Sequence, residues 1–169
     1  MKHCGTQRIE TERLILRRFV LEDAGAMFRN WASDSEVTKF LTWPTHRSAE
    51  VSERVLKESG DEPVGNIAAV QVNDDIASVH IGYCIGRAFW HQGIMSEALQ
   101  AVIDFFFDTV GVNRVESRHD PENPHSGMVM QKCGMQYEGT LRRSDRNNQG
   151  ICDACWYSIL RSEWEGKTQ

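Results

Sequence analysis

Apolar positions recur along this chain with two periods, and the switches between them outline a fold. From Ile9 to Phe19 they alternate, with Leu14 and Leu16 on one face, which is the period of a strand. Leu21-Glu22-Asp23-Ala24 then opens an amphipathic helix that runs to about Trp31, and Ser48 to Glu58 carries a second helical pattern. Pro63 to Val72 and Ile76 to Ile85 are apolar or alternating runs around the polar Asn73-Asp74-Asp75, the pattern of a β-hairpin. A helix from Ser96 to Val110, a strand from Arg114 to His119 and a short helix from Pro124 to Cys133 follow. A last long hairpin turns at Asn147-Asn148-Gln149-Gly150. The elements predict an α/β chain around a mixed sheet. No repeat, low-complexity tract or Gly/Ser/Pro-rich linker marks a boundary, so one domain over residues 1–169 is expected.

The switch from strand to helix at Phe89-Trp90-His91-Gln92-Gly93-Ile94-Met95-Ser96-Glu97-Ala98 carries the most chemistry. The first amide N–H groups of a helix have no partner within it and carry the positive end of its dipole, so they can converge on a phosphate. Gly93 removes the side chain that would block that approach. The plainer reading is an ordinary helix entry, with Ser96 as N-cap or first-turn hydroxyl and Glu97 stabilising the end.

Composition narrows the partners. In 169 residues, apolar side chains make up 40% and charged ones 25%, an ordinary globular balance. The net charge of −5 argues against broad nucleic-acid or anionic-membrane binding, both of which depend on Lys and Arg. No apolar run reaches the roughly 18 to 20 residues of a membrane span, and Met1 to Glu10 lacks the apolar core of a secretion signal, so a cytoplasmic location is expected. Five scattered cysteines, Cys4, Cys84, Cys133, Cys152 and Cys155, suit free thiols. Cys152 and Cys155 form a C-x-x-C pair within a late strand, Ile151 to Leu160, where residues three apart face opposite sides; structural cysteines and no metal site are expected.

A second punctuated segment follows the strand Arg114 to His119. In Asp120-Pro121-Glu122-Asn123-Pro124-His125-Ser126, Asn123 has the place of an N-cap and Pro124 that of the first helical residue, while Gly134 closes the helix in a left-handed conformation. Ligands of open α/β sheets favour this C-terminal strand edge.

The order strand, W-H-Q-G-I-M-S-E-A-L, helix, strand, N-P-H-S, helix, K-C-G-M and then E-G-T-L-R resembles the GNAT superfamily of acetyl-CoA-dependent N-acetyltransferases. More narrowly, it is similar to the branch that includes the ribosomal-protein Nα-acetyltransferases RimJ and RimL, from about Thr11-Glu12-Arg13-Leu14 to Trp164. The resemblance implies a mixed, mostly antiparallel sheet flanked by helices, with strands splayed at the cofactor site. It places a pyrophosphate loop, (Q/R)-x-x-G-x-(G/A), on Trp90, His91, Gln92, Gly93, Ile94 and Met95, with Ser96 following. Trp90 and Met95 depart from the general pattern but fit the F-W-x-x-G-I-M-(S/T)-E-A form of this branch. It further implies that Tyr83, Cys84 and Ile85 hold the pantetheine arm through their backbone, with Asn123 and Ser126 beside the sulfur.

For acetyl transfer, a neutral amine must attack the thioester, the oxyanion needs a donor, and the departing thiolate benefits from a proton. The resemblance assigns the oxyanion donor to an amide near Cys84 and Ile85. The tyrosine that many relatives place in N-x-x-A-x-x-x-Y is Met130 here, which leaves Ser126 as the substitute acid, against a hydroxyl that merely bonds back to its helix. Asp145 is the candidate base, direct or through water, against an exposed strand carboxylate. Glu97 is a weaker candidate, and His91 and His119 read as loop and sheet residues.

Acetyl-CoA and an amine acceptor, either a protein N-terminus or a small molecule, are the expected partners of a monomer or homodimer. The alternative is a non-catalytic acyl-CoA sensor of the same fold. Relatives carry an additional strand between the second helix and the run beginning at Pro63. Here Glu53 to Gly60 leads almost directly into that run, so a segment missing from the sequence is the favoured explanation, since loss of an interior strand would leave its neighbours unpaired.

Overall fold

The computed structural model describes residues 1–55 and 63–166. Strand β3 (Gly65–Asn73) pairs antiparallel with β4 (Ser78–Ile85), with a bulge between Ala69 and Gln71, β4 lies parallel to β5 (Arg114–His119), and β7 (Gly150–Leu160) pairs antiparallel with both β5 and β6 (Gln136–Asn147). The sheet order is therefore β3-β4-β5-β7-β6, mixed and mostly antiparallel as expected.

Several boundaries differ from the sequence reading for local reasons. The run Ile9 to Phe19 is not one strand but a tight pair, β1 (Ile9–Glu10) and β2 (Ile15–Leu16). Between them Thr11 turns the chain: its amide donates to the Leu14 carbonyl at 3.0 Å, and its hydroxyl oxygen accepts from the Leu14 amide at 3.0 Å. The helix opened by Leu21 forms as α1 (Asp23–Met27), and widens into a π-helical turn over Phe28–Ala32. A short α2 (Ser35–Thr38) and then α3 (Ala49–Val55) follow; the predicted continuation to Glu58 lies outside the described residues. The stretch where the resemblance would place a further strand also lies outside them. Among the described residues β3 pairs with β4 alone, and an open cavity of about 1130 Å³ runs beside it, lined by residues including Leu14, Leu16, Ile67, Met95 and Val102.

The core lies between one face of the sheet and the helices α4 (Ile94–Phe105) and α5 (Pro124–Lys132), with α4 continued by a π-helical segment over Phe106–Val110. Val79 and Ile81 of β4, Leu99 and Ile103 of α4, and Met130 of α5 are all fully or almost fully buried there. Burying such a side chain contributes about 1.5–3 kcal/mol, so this face anchors the two helices that frame the site. A smaller cluster on the opposite face joins Ala24, Met27 and Trp31 to Cys84. The terminal helix α6 (Arg161–Glu165) ends the described fold.

That opposite face is polar farther along. Arg114 clasps Glu138 and Glu116, and Ser158 also donates to Glu138 at 2.7 Å. The Arg114 hydrogen bonds hold the Glu138 carboxyl at about 2, below its ordinary 4.5. The folded state thus favours the charged form, so the pair's stabilisation is present above pH 4.5 and is lost as the pH falls towards 2. Glu138→Gln should flatten the fall in melting temperature across that acid window, as differential scanning calorimetry would read.

Candidate active site

The last β4–β5 register pair is His80 with Glu116; beyond it the two strands part. The Ser117 hydroxyl bridges the fork, donating to the Ile81 carbonyl at 2.8 Å. A parallel pair that stops in mid-strand leaves backbone groups facing a slot, and such groups need a partner. Cys84 and Ile85 lie on the parted segment of β4, still paired on their other side with Asn66 and Gly65 of β3. Burial pushes the Cys84 thiol up to about 12, so it is no nucleophile at neutral pH.

At the end of β4 the chain passes through a 3₁₀ turn, Arg87–Phe89, into the glycine loop. Trp90 is its anchor: the indole N–H donates to the Ile85 carbonyl at 2.9 Å, and Gln92 donates to the Ala88 carbonyl at 2.8 Å. His91 and Gly93 both take left-handed backbone conformations, at φ 60° and 74°. Gly93, and not Ser96, is the N-cap of α4, so the helix begins two residues before the predicted start and Ser96 sits in its first turn. The first helical bond runs from the Glu97 amide to the Gly93 carbonyl at 3.0 Å, which leaves the Ile94, Met95 and Ser96 amides ahead of it as the helix's free donors. A β-carbon on Gly93 would stand 3.5 Å from the Lys132 ammonium and 3.7 Å from the Arg13 guanidinium, so two cations flank the loop. These donors and cations fit a pyrophosphate.

Glu97 is committed elsewhere. Its carboxylate accepts from the Thr11 hydroxyl at 2.5 Å, the Arg13 amide at 3.0 Å and the Arg13 Nε at 2.6 Å, and these bonds hold its proton affinity below the ordinary range. Arg13 also donates to the Gln92 carbonyl at 3.1 Å, tying the N-terminal hairpin to the loop.

Across the fork, Asn123 occupies the N-cap of α5 with Pro124 at the first turn, and Gly134 closes the helix at φ 78°. Ser126 lies one turn in, and its Oγ donates to the Tyr83 hydroxyl at 3.0 Å, which itself donates to the Ser126 carbonyl at 2.8 Å. Met130 is wholly buried in the core. His119 faces the same helix. Its Nδ1 must donate to the Asp120 carbonyl at 2.8 Å, since a carbonyl only accepts, and its buried Nε2 lies 2.6 Å from where a Gly127 β-carbon would stand. His91 stacks edge-on with His125, ring centroids 5.1 Å apart, linking the loop to α5.

Asp145 belongs to the other face of the sheet. Arg118 donates to it through Nε at 2.5 Å and Nη2 at 3.2 Å, while the same guanidinium stacks over Trp156 and reaches His80 at 3.4 Å. Partial burial raises the Asp145 proton affinity, but the Arg118 hydrogen bonds and charge, with the Arg146 amide, bring it below the ordinary value. His80 is kept neutral chiefly by burial, with the Arg118 charge adding to the effect. The tip of the β6–β7 hairpin closes this face, Asn148 donating to the Thr38 and Trp43 carbonyls, each at 2.8 Å. Sequence reasoning missed the roles of Arg118, His80, Lys132 and the Tyr83 hydroxyl; Arg13, inside the T-E-R-L motif, and Lys132, inside K-C-G-M, lay in motifs that carried a signal.

All five cysteines are thiols, and Cys152 and Cys155 bond separately, to Asn147 and Thr140. Among the described residues no group of three or more His, Cys, Asp or Glu side chains could hold a metal, and no helix is long and apolar enough to cross a membrane.

A fork in a parallel strand pair, with a left-handed glycine loop at a helix N-terminus beside it, is the arrangement that the resemblance to the acetyltransferases implied. The chain belongs to the GNAT acetyltransferase family, whose domain model matches residues 13–136. It is similar to the N-acetyltransferase p20 of Bacillus licheniformis, 29% identical over 95% of this chain and 99% of that protein. It also matches the ribosomal-protein-serine acetyltransferase of Escherichia coli, 29% identical over 63% of this chain and 58% of that one. Among solved structures, RimL, a ribosomal L7/L12 α-N-protein acetyltransferase in complex with coenzyme A, shares the fold at a TM-score of 0.79 and 19% identity, over 91% of this chain and 98% of that one.

Proposed function

We propose that this chain transfers an acetyl group from acetyl-CoA to a primary amine, a protein N-terminus or a small amine, by direct attack on the thioester in the cytoplasm. The observation that carries the reading is the fork beyond His80 and Glu116, with the Gly93 loop at one end and Ser126 beside it. Trp90, His91, Gln92, Gly93, Ile94, Met95 and Ser96 cradle the pyrophosphate, mainly through amides. Cys84 and Ile85 face the pantetheine arm with their backbone, and Asn123 and Ser126 border the sulfur. Ser126 supplies the proton to the departing thiolate.

Asp145 accepts the amine's proton through water. Held charged by Arg118, it is too weak a base to strip a resting ammonium, but the amine nitrogen becomes far more acidic as it bonds to the carbonyl carbon. The excess of 24 acidic over 19 basic residues favours a cationic acceptor, and the ribosomal-protein relatives favour an N-terminal amine.

The test is release of free CoA thiol with a panel of amines, N-terminal peptides and aminoglycosides. At least one acceptor should raise release above hydrolysis; none doing so would sink the reading. With the best acceptor, Asp145→Asn should lower kcat about tenfold, about 1.4 kcal/mol in the barrier, with the Kd for acetyl-CoA unchanged. Equal turnover would remove Asp145 from the mechanism.

A further inference from the structure

Among the side chains no role has claimed, the Tyr83 hydroxyl is the one aimed at the chemistry. Tyr83 lies three residues past the last β4–β5 pair, on the parted segment of β4, and its ring packs against the core with Val79 and Ile81. Its hydroxyl makes two hydrogen bonds, both to one residue of the facing helix: the Ser126 carbonyl at 2.8 Å and the Ser126 Oγ at 3.0 Å. Core packing alone does not require either. One turn farther along α5, Met130 is fully buried and carries no donor.

We propose that Tyr83 is a positioning residue that sets the Ser126 hydroxyl for proton delivery to the leaving sulfur. The inference rests on the acetyl-transfer reading and on Ser126 as its acid.

The two distances allow one phenolic proton to serve either Ser126 oxygen. In the resting arrangement Tyr83 donates to the carbonyl and receives the Ser126 proton. When Tyr83 swings its O–H to Ser126 Oγ, the serine proton is released towards the sulfur, and a donor now stands on the oxygen that is about to lose it. As the amine nitrogen bonds to the acetyl carbon, the C–S bond breaks and its electron pair stays on sulfur, which takes the Ser126 proton. The proton lost by the amine passes through water to Asp145 and from there to solvent, and solvent restores Ser126. Tyr83 keeps its own proton throughout; burial raises its phenol above the ordinary range, so it remains a donor at any working pH.

The experiment is a cycle of Tyr83→Phe, Ser126→Ala and the double variant in the full chain, with thiol release measured on the best acceptor and acetyl-CoA binding measured by calorimetry. Tyr83→Phe keeps the ring and removes only the hydroxyl. Its kcat should fall about tenfold while the Kd for acetyl-CoA stays within about twofold, and the double variant should be no slower than Ser126→Ala alone, since a residue acting through another has nothing left to act on. Losses that multiply in the double variant would overturn the proposal, and so would a wild-type kcat for Tyr83→Phe when Ser126→Ala is slow; both leave the acetyl-transfer reading standing. A Kd that rises with the fall in kcat, or loss of cooperative melting, would mean that the hydroxyl is structural and also overturn it. Full activity in Ser126→Ala would remove the acid and its positioning residue together.

Discussion

Gly93→Val should raise the Kd for acetyl-CoA about a hundredfold, equivalent to about 2.7 kcal/mol. Two effects combine at this residue. At φ 74° and ψ 1° the backbone is left-handed, a conformation that costs an L-residue roughly 1–2 kcal/mol and a β-branched one more. The added side chain would also stand over the Ile94, Met95 and Ser96 amides and against Lys132 and Arg13, where the phosphates are proposed to sit. Gly93→Asn separates the two. Asparagine tolerates the left-handed conformation, so the melting temperature should recover while much of the affinity remains lost. Titration calorimetry with acetyl-CoA decides the matter, and an unchanged Kd in Gly93→Val would show that the loop does not hold the cofactor.

Gly127→Ala should destabilise the fold by about 1–3 kcal/mol, the ordinary cost of forcing a methyl group into a filled space. The new β-carbon would lie 2.6 Å from His119 Nε2 and 3.1 Å from Cε1. His119 cannot simply turn aside, because Nδ1 is held by the Asp120 carbonyl and the ring lies against Tyr157, centroids 5.6 Å apart. Relief must come from α5, which would carry Ser126 away from Tyr83. The melting temperature should therefore drop by about 2–10 °C, and kcat should fall with it. Adding His119→Ala should restore part of both, since the clash needs both side chains. A melting curve identical to wild type would show that the contact yields at no cost.

The elements of the fold were legible where periodicity runs long. Strand β5 was read to the residue, and the last hairpin turns where Asn147 to Gly150 signalled it. Alternation could not reveal that Ile9 to Phe19 folds back on itself, because the Thr11 side chain, not the apolar spacing, makes that turn. Nor did it locate the start of α4, where a left-handed glycine ends the loop two residues before the periodic apolar face would suggest. The glycine loop was readable because its chemistry lies in consecutive backbone groups. Tyr83 with Ser126 and Arg118 with Asp145 are separated by 43 and 27 residues, and nothing local in the sequence announces either pair. Glu97 shows the converse: a carboxylate beside the loop looked available until the N-terminal hairpin was seen to surround it.

The fork between β4 and β5 also bears on how turnover is paced. Along β5, Ser117 and His119 look towards the helices while Glu116 and Arg118 look the other way, so the slot that opens past His80 connects two faces of one sheet. A donor arriving along the helix side and an amine arriving along the Asp145 side would use separate doorways. Neither product would have to wait for the other to clear its exit, and no lid or domain would need to swing open between cycles.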